Sequence, residues 1–268
     1  MANVLLNFAA GSSYEKKRRI NSQTGKYIAR FDRIIEYTID DIDDFFKASN
    51  IEIFKEKKGL GLWLWKPYFI NKALSLLDND DLLFYCDSSS VFIRPISGLV
   101  RFMESENIDI MPFVLPFKEL NWSSEGVMNY FGLNADQRES NQLCASFLAL
   151  KKTKHSSKII EDWLLQCQDY KLLSGKFSNA ESLKLIEHRY DQSILSMIIK
   201  KRGIKMYKDP SQYGNFPQLY GKHYDIDLDE LPKGDYKTSI VLIRRGSFLR
   251  ACLNYFFNMI IYKFKNVK

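Results

Sequence analysis

Asp81-Leu82-Leu83-Phe84-Tyr85-Cys86-Asp87 is the stretch on which the fold turns. Its apolar residues run on without alternation, as in a strand buried on both faces of a parallel sheet, and it stops at Asp87-Ser88-Ser89-Ser90. Towards the N-terminus, Lys66–Leu77 (KPYFINKALSLL) reads as a helix with Pro67 tolerated in its first turn. Asp40–Ser49 reads as a short acidic-led helix, and Arg33–Thr38 (RIIEYT) as a strand. Asn3–Phe8 (NVLLNF) is a further buried strand that ends in the small-residue turn Ala9-Ala10-Gly11-Ser12-Ser13. A polar, basic, helical stretch from Tyr14 to Arg30 separates it from Arg33–Thr38, the spacing of a βαβ unit.

Towards the C-terminus, Val91–Ile93, Ile108–Phe113 and Leu143–Leu150 read as strands, Ile96–Ser105 and Ser156–Cys167 as helices. Leu115–Glu139, with Pro116, Gly126 and Gly132, lacks a period and is expected to be a long excursion over a site. Thr238–Ile243 is the last strand. The alternation predicts an α/β architecture in one large domain, residues 1–243, followed by a tail, residues 244–268.

Composition is that of a globular protein: 268 residues, 46% hydrophobic and 26% charged, with 13 Gly and 7 Pro, which excludes disordered and collagen-like chains. No apolar run approaches the roughly 18–20 residues of a membrane span, and the N-terminus lacks the features of a secretory leader. The four cysteines have no CxxC spacing, which argues against a zinc knuckle or a disulfide framework and fits reduced, cytoplasmic thiols. The formal charge of +7 lies wholly in Tyr236–Lys268, which holds seven basic residues and no acid. A neutral body therefore carries a basic tail. Because that charge is interleaved with Phe248, Leu249, Leu253, Phe256, Phe257, Ile260 and Ile261, the tail reads as an amphipathic helix for an anionic membrane surface. The other reading of the tail is a helix packed on the domain. A nucleic-acid partner, suggested by the basic pI and the 15 Tyr and 19 Phe, is disfavoured because no aromatic-studded basic sheet face is in view.

Three constellations carry chemistry. Asp87 ends a buried strand, where α/β sheets bind ligands and an oxygen donor suits a cation holding phosphates. Gly59–Tyr68 (GLGLWLWKPY) crowds two tryptophans against Lys66, and Glu187–Ser196 (EHRYDQSILS) clusters His188, Asp191 and Gln192, with His188 and Asp191 expected on one helix face. In this order, from about Asn3 to Ile198, they resemble the bacterial glycosyltransferases of lipopolysaccharide O-antigen and capsule gene clusters. The matching blocks are Phe8-Ala9-Ala10-Gly11, the glycine-aromatic block ending Trp65-Lys66-Pro67-Tyr68, Tyr85-Cys86-Asp87, and His188-Arg189-Tyr190-Asp191-Gln192-Ser193.

The resemblance implies a GT-A fold: a Rossmann-like, nucleotide-sugar-binding domain with a mostly parallel central sheet. It implies a hexosyltransferase that moves a sugar from a nucleotide-sugar, a UDP-sugar by preference, to a lipid-linked oligosaccharide. The protein would sit peripherally on the inner face of the cytoplasmic membrane. By position, Phe8, Ala9, Ala10 and Gly11 would meet the nucleoside, Lys66 the diphosphate, and Asp87 with Ser89 a Mn²⁺ or Mg²⁺ ion. His223 is a further candidate ligand. Asp191, Gln192 and His188 are the catalytic candidates, and Gln142, Cys144 and Ser146 the candidate hydroxyl contacts. Retention and inversion stay open. The block Asp87-Ser88-Ser89 has one carboxylate where the family's metal motif has two, which keeps open an inactive GT-A-like assembly partner as the alternative.

Overall fold

The computed structural model describes residues 1–177, 183–220, 226–228, 231–243 and 247–265. A five-stranded sheet is built from β1 (Asn3–Phe8), β2 (Arg33–Tyr37), β3 (Leu82–Cys86), β5 (Ile110–Lys118) and β6 (Asn141–Lys151), in the order β2-β1-β3-β6-β5. β1 pairs parallel with both β2 and β3, and β6 pairs antiparallel with both β3 and β5. Four strands thus share one direction and β6 alone opposes them.

A second, two-stranded antiparallel sheet joins β4 (Ser90–Phe92) to β7 (Ile240–Leu242). Apolar side chains on successive strand residues point to opposite faces, so continuous apolar runs feed two cores. Val4, Leu6, Phe8, Leu83 and Tyr85 join the core under the helices Trp65–Ser75, Lys154–Cys167 and Tyr190–Lys201, while Leu5, Phe84 and Cys86 join the one that includes Leu99 and Met103 of the helix Ser97–Ser105.

The expected excursion over Leu115–Glu139 is instead ordered. β5 runs on to Lys118, and the helices Glu119–Trp122, Glu125–Tyr130 and Ala135–Glu139 follow, the last two capped by the side chains of Ser124 and Asn134. The punctuation that suggested a loop has local causes. Pro112 and Pro116 lie on the sheet's outer strand, where prolines are tolerated, and the register shifts beside Pro112 and again after Val114. Gly126 lies within the helix Glu125–Tyr130 and is glycine because the Phe177 ring fills the space a Cβ would need.

The C-terminal helix Phe248–Lys265 is no free appendage. Cys252 and Tyr255 are buried with Val91, Phe216, Val241 and Ile243. Its other side exposes Leu249, Leu253, Phe256, Phe257 and Ile260. The packed-helix reading therefore holds for one face of the tail, and the other face is apolar and exposed. Among the described residues no helix is long and apolar enough to cross a membrane. Arg244, Arg245 and Lys268 of the basic segment lie outside the described residues.

Candidate active site

A cavity of about 330 Å³ opens at the carboxyl ends of β1 and β3. Phe8, Ala9 and Ala10 form one wall, where the small side chains leave backbone exposed to a ligand. Asp87, Ser88 and Ser89 form the second. Their turn is held from behind by two fully buried asparagines: Asn7 Nδ2 donates to Asn21 Oδ1 (2.7 Å) and Asn21 Nδ2 to the Ser90 carbonyl (2.9 Å).

The third wall is Gly59, Leu60, Trp63 and Trp65. Five consecutive residues there have positive φ: Gly59 (60°), Leu60 (55°), Gly61 (91°), Leu62 (52°) and Trp63 (62°). Left-handed backbone costs a non-glycine residue roughly 1–2 kcal/mol, so the two leucines and Trp63 store strain that the surroundings must hold. A side chain at Gly59 would strike the Trp63 ring and one at Gly61 would strike Phe54. The turn is clamped by Trp65, whose Nε1 donates to the Gly59 carbonyl (2.8 Å) while its ring stacks on Phe8 at 3.8 Å. Strain kept in place at a cavity lip is a mark of a binding site.

Lys66 follows in the first turn of the helix Trp65–Ser75 and turns inward. It is 5% exposed, donates to the Ala145 carbonyl (3.1 Å), and stands 3.4 Å from Asp191 Oδ2 and 3.8 Å from Asp87 Oδ1. One ammonium thus serves two carboxylates. Burial opposes the lysine's charge, yet Asp191 and Asp87 outweigh it and raise its pKa above the usual lysine value. Burial pushes Asp191, 3% exposed, up to about 6, with Lys66 pulling it back and Asp87 pushing it further. Tyr85 donates its hydroxyl to Asp87 Oδ1 (2.6 Å), and burial, with Asp87 beside it, holds that hydroxyl protonated. The Asp87 side chain remains 30% exposed to the cavity.

The structure thus brings Asp87, Lys66 and Asp191 together, but Lys66 lies beneath the floor and does not face the cavity as expected for a phosphate contact. Ser89 is at the rim, and Gly11, at φ 80°, starts the helix Ser12–Thr24 just beyond Ala10. Ser146 accepts the Asp87 backbone N–H at its carbonyl (2.9 Å) and Cys144 is a buried thiol, pushed up to about 12 by burial.

Gln142 is fully buried. Its amide nitrogen donates to Glu119 Oε1 (2.9 Å) and the Trp122 carbonyl (3.2 Å), and its oxygen accepts from Gln192 Nε2 (2.8 Å), so it is spent on the core. Gln192 Oε1 in turn accepts the Ala145 N–H (3.1 Å).

His188 does not share a helix face with Asp191, because the helix begins at Tyr190. It is 8% exposed, accepts the Ser124 N–H at Nδ1 (3.2 Å), and is pushed down to about 4 by burial. His223 lies outside the described residues. Sequence reasoning passed over Glu119, Tyr85 as a partner of Asp87, and Lys57, which lines the cavity.

A divalent ion, which the resemblance implies, does not fit the donor set that the described residues offer. Asp87 is the one carboxylate among the described lining residues, its Oδ1 is taken by Tyr85, and Lys66 stands behind it. No group of three His, Cys, Asp or Glu able to hold a metal occurs among the described residues.

No protein-family model and no curated protein matches the sequence. Among solved structures, the chain is similar to the galactosyltransferase LgtC in complex with donor and acceptor sugar analogues, with a TM-score of 0.50 at 10% identity over 90% of this chain and 87% of that one. The fold is GT-A. Mouse xyloside xylosyltransferase 1 gives a TM-score of 0.45 at 10% identity over 89% of this chain and 96% of that one. A glycosyltransferase involved in glycosylation of the major capsid of PBCV-1 gives 0.46 at 9% identity over 95% and 98%. At these identities the likeness is one of fold, and a GT-A fold puts ligands at the strand ends where the cavity lies.

Proposed function

We propose that this GT-A chain transfers a hexose from a nucleotide-sugar, a UDP-sugar by preference, to a hydroxyl of a lipid-linked oligosaccharide in the assembly of a bacterial surface polysaccharide. The observation that carries the reading is the cavity at the ends of β1 and β3, with Ala9 and Ala10 on one side and Asp87 on the other. The Phe8–Trp65 stack gives the cavity a flat aromatic edge beside which a nucleobase can pack.

Asp87 is the carboxylate that touches the donor. Asp191, Gln192 and His188 act through others: Asp191 through Lys66, Gln192 through the Ala145 amide, and His188 through Ser124. The test is calorimetric titration of the full chain with UDP, CDP and GDP. UDP should bind most tightly of the three, and Asp87→Ala should weaken a UDP-hexose about tenfold or more, a loss of roughly 1.4 kcal/mol; failure of every nucleoside diphosphate to bind would end the reading.

The acceptor's lipid is supported by the helix Phe248–Lys265, whose exposed Leu253, Phe257 and Ile260 sit in a segment without a single acid. A monotopic contact of this kind would place the protein on the inner face of the cytoplasmic membrane. Combined Leu253→Ser and Phe257→Ser should release the chain from phosphatidylglycerol vesicles and leave UDP affinity unchanged. Undiminished vesicle binding would detach the membrane from the proposal.

A further inference from the structure

Two neighbouring lysines just before the left-handed turn have unlike surroundings. Lys58 pairs with Glu187 and lies over the Tyr190 ring at 4.9 Å. Lys57 lines the cavity, is exposed, and its ammonium has no ion pair or hydrogen bond among the described residues. Its backbone is fixed, because its carbonyl accepts the N–H of Leu60 (3.3 Å) at the start of the left-handed turn. It is the one cation among the described lining residues. Lys66, beneath the site, is committed to Asp87 and Asp191.

We infer that the negative charge of the leaving nucleoside diphosphate is met by the Lys57 ammonium at the cavity rim, with Lys66 neutralising Asp87 from beneath, and not by a divalent ion. The inference rests on the proposed glycosyl transfer. In that reaction the bond between the anomeric carbon and the β-phosphate oxygen breaks, and its electron pair stays on the oxygen. The acceptor hydroxyl oxygen supplies the pair for the new bond, and its proton passes to water. Negative charge therefore grows on the β-phosphate, and a positioned ammonium stabilises it.

A divalent ion at Asp87 would have to gather about six oxygens for magnesium. It would find one carboxylate with an oxygen already hydrogen-bonded, beside a fixed positive charge. With Lys66 behind it, Asp87 is left to accept hydrogen bonds from hydroxyls of the sugar. Lys57 is then a group that touches the donor, and Lys66 a positioning residue.

The experiment is titration of the full chain with UDP and with uridine, each in EDTA and in Mn²⁺, repeated for Lys57→Met and Lys57→Arg. UDP affinity should be the same within about twofold in the two buffers. Lys57→Met should lose about tenfold or more for UDP and at most about twofold for uridine, and Lys57→Arg should keep most of the affinity. A rise of about tenfold in UDP affinity with Mn²⁺ in the parent chain, or a Lys57→Met variant that binds UDP as the parent does, overturns the inference while leaving glycosyl transfer in place. Absence of UDP binding in both buffers removes that reading and the inference with it.

Discussion

Among the described residues two lysines, Lys66 and Lys200, are buried against carboxylates, and the two sites are finished differently. Around Glu119 everything is closed. The carboxylate is fully buried, and accepts from Ser123 Oγ (2.6 Å), Gln142 Nε2 (2.9 Å), Ser196 Oγ and Lys200 Nζ (2.8 Å), while Lys200 also donates to the Gln137 and Ser140 carbonyls at 3.0 and 3.3 Å. Around Lys66 the arrangement is short of donors. Two carboxylates share one ammonium at 3.4 and 3.8 Å, and one of them opens to the cavity. A satisfied buried network fixes packing; a charge-imbalanced one with an open edge has interactions left over for a ligand. The first clips the helices after β5 to the helix Tyr190–Lys201, and the second holds Asp87 where the cavity needs it.

Removing one partner of the closed network is the most damaging way to break this comparison. Glu119→Ala should destabilise the chain by about 3–5 kcal/mol, read from urea unfolding, because the Lys200 ammonium is left buried and uncompensated. Glu119→Leu combined with Lys200→Met should cost much less than Glu119→Ala. A single variant within about 1 kcal/mol of the parent would show that the network carries little of the fold.

A smaller effect separates the two sites by pH. Asp191, in the open site, has its pKa raised to about 6, so between its ordinary value of 3.8 and 6 the folded state holds a proton that the unfolded state has lost. That term makes stability fall as pH rises through the window. His188, which abuts the closed site through Ser124, is lowered from 6.5 to about 4, so there the unfolded state holds the extra proton and stability rises over nearly the same window. The two slopes oppose one another. Asp191→Asn should leave stability rising from pH 4.5 to 6, and His188→Gln should leave it falling, each by about 1–2 kcal/mol in urea midpoints. Parallel profiles for the two variants would refute the assignment.

What could be read from residues alone follows the same division. β1 and β3 were legible because strands covered on both faces leave unbroken apolar runs, Asp87 because it ends one of them, and β2, an edge strand with Arg33 and Glu36 exposed, by its spacing from β1. The direction of β6 was not, since an antiparallel strand buried on both faces has the same composition as a parallel one. Nor was the role of Glu119: its partners Gln142, Ser196 and Lys200 are 23, 77 and 81 positions away, and only the fold collects them. The Trp65-Lys66 block did not reveal that Lys66 is buried, because a lysine after two tryptophans can turn outward or inward and its partners lie after β3, on β6 and on the helix Tyr190–Lys201. The run of left-handed residues from Gly59 to Trp63 was hidden by its leucines, which by themselves favour ordinary helix.

The small sheet has a consequence in time. Ile243 donates its backbone N–H to the Ser89 carbonyl (2.7 Å), and β7 pairs with β4 immediately after that turn. The rim of the cavity is therefore tied to a segment 154 positions later in the chain. At synthesis rates of about 5–20 residues per second, the Asp87-Ser88-Ser89 turn would wait roughly 8–30 s on the ribosome for the strand that fixes it. During that interval Val91 lacks Val241 and Tyr255, the neighbours that later cover it. The nascent chain thus cannot present a finished cavity until residues 240–243 have been made, and translation itself sets the earliest moment at which a donor could be held.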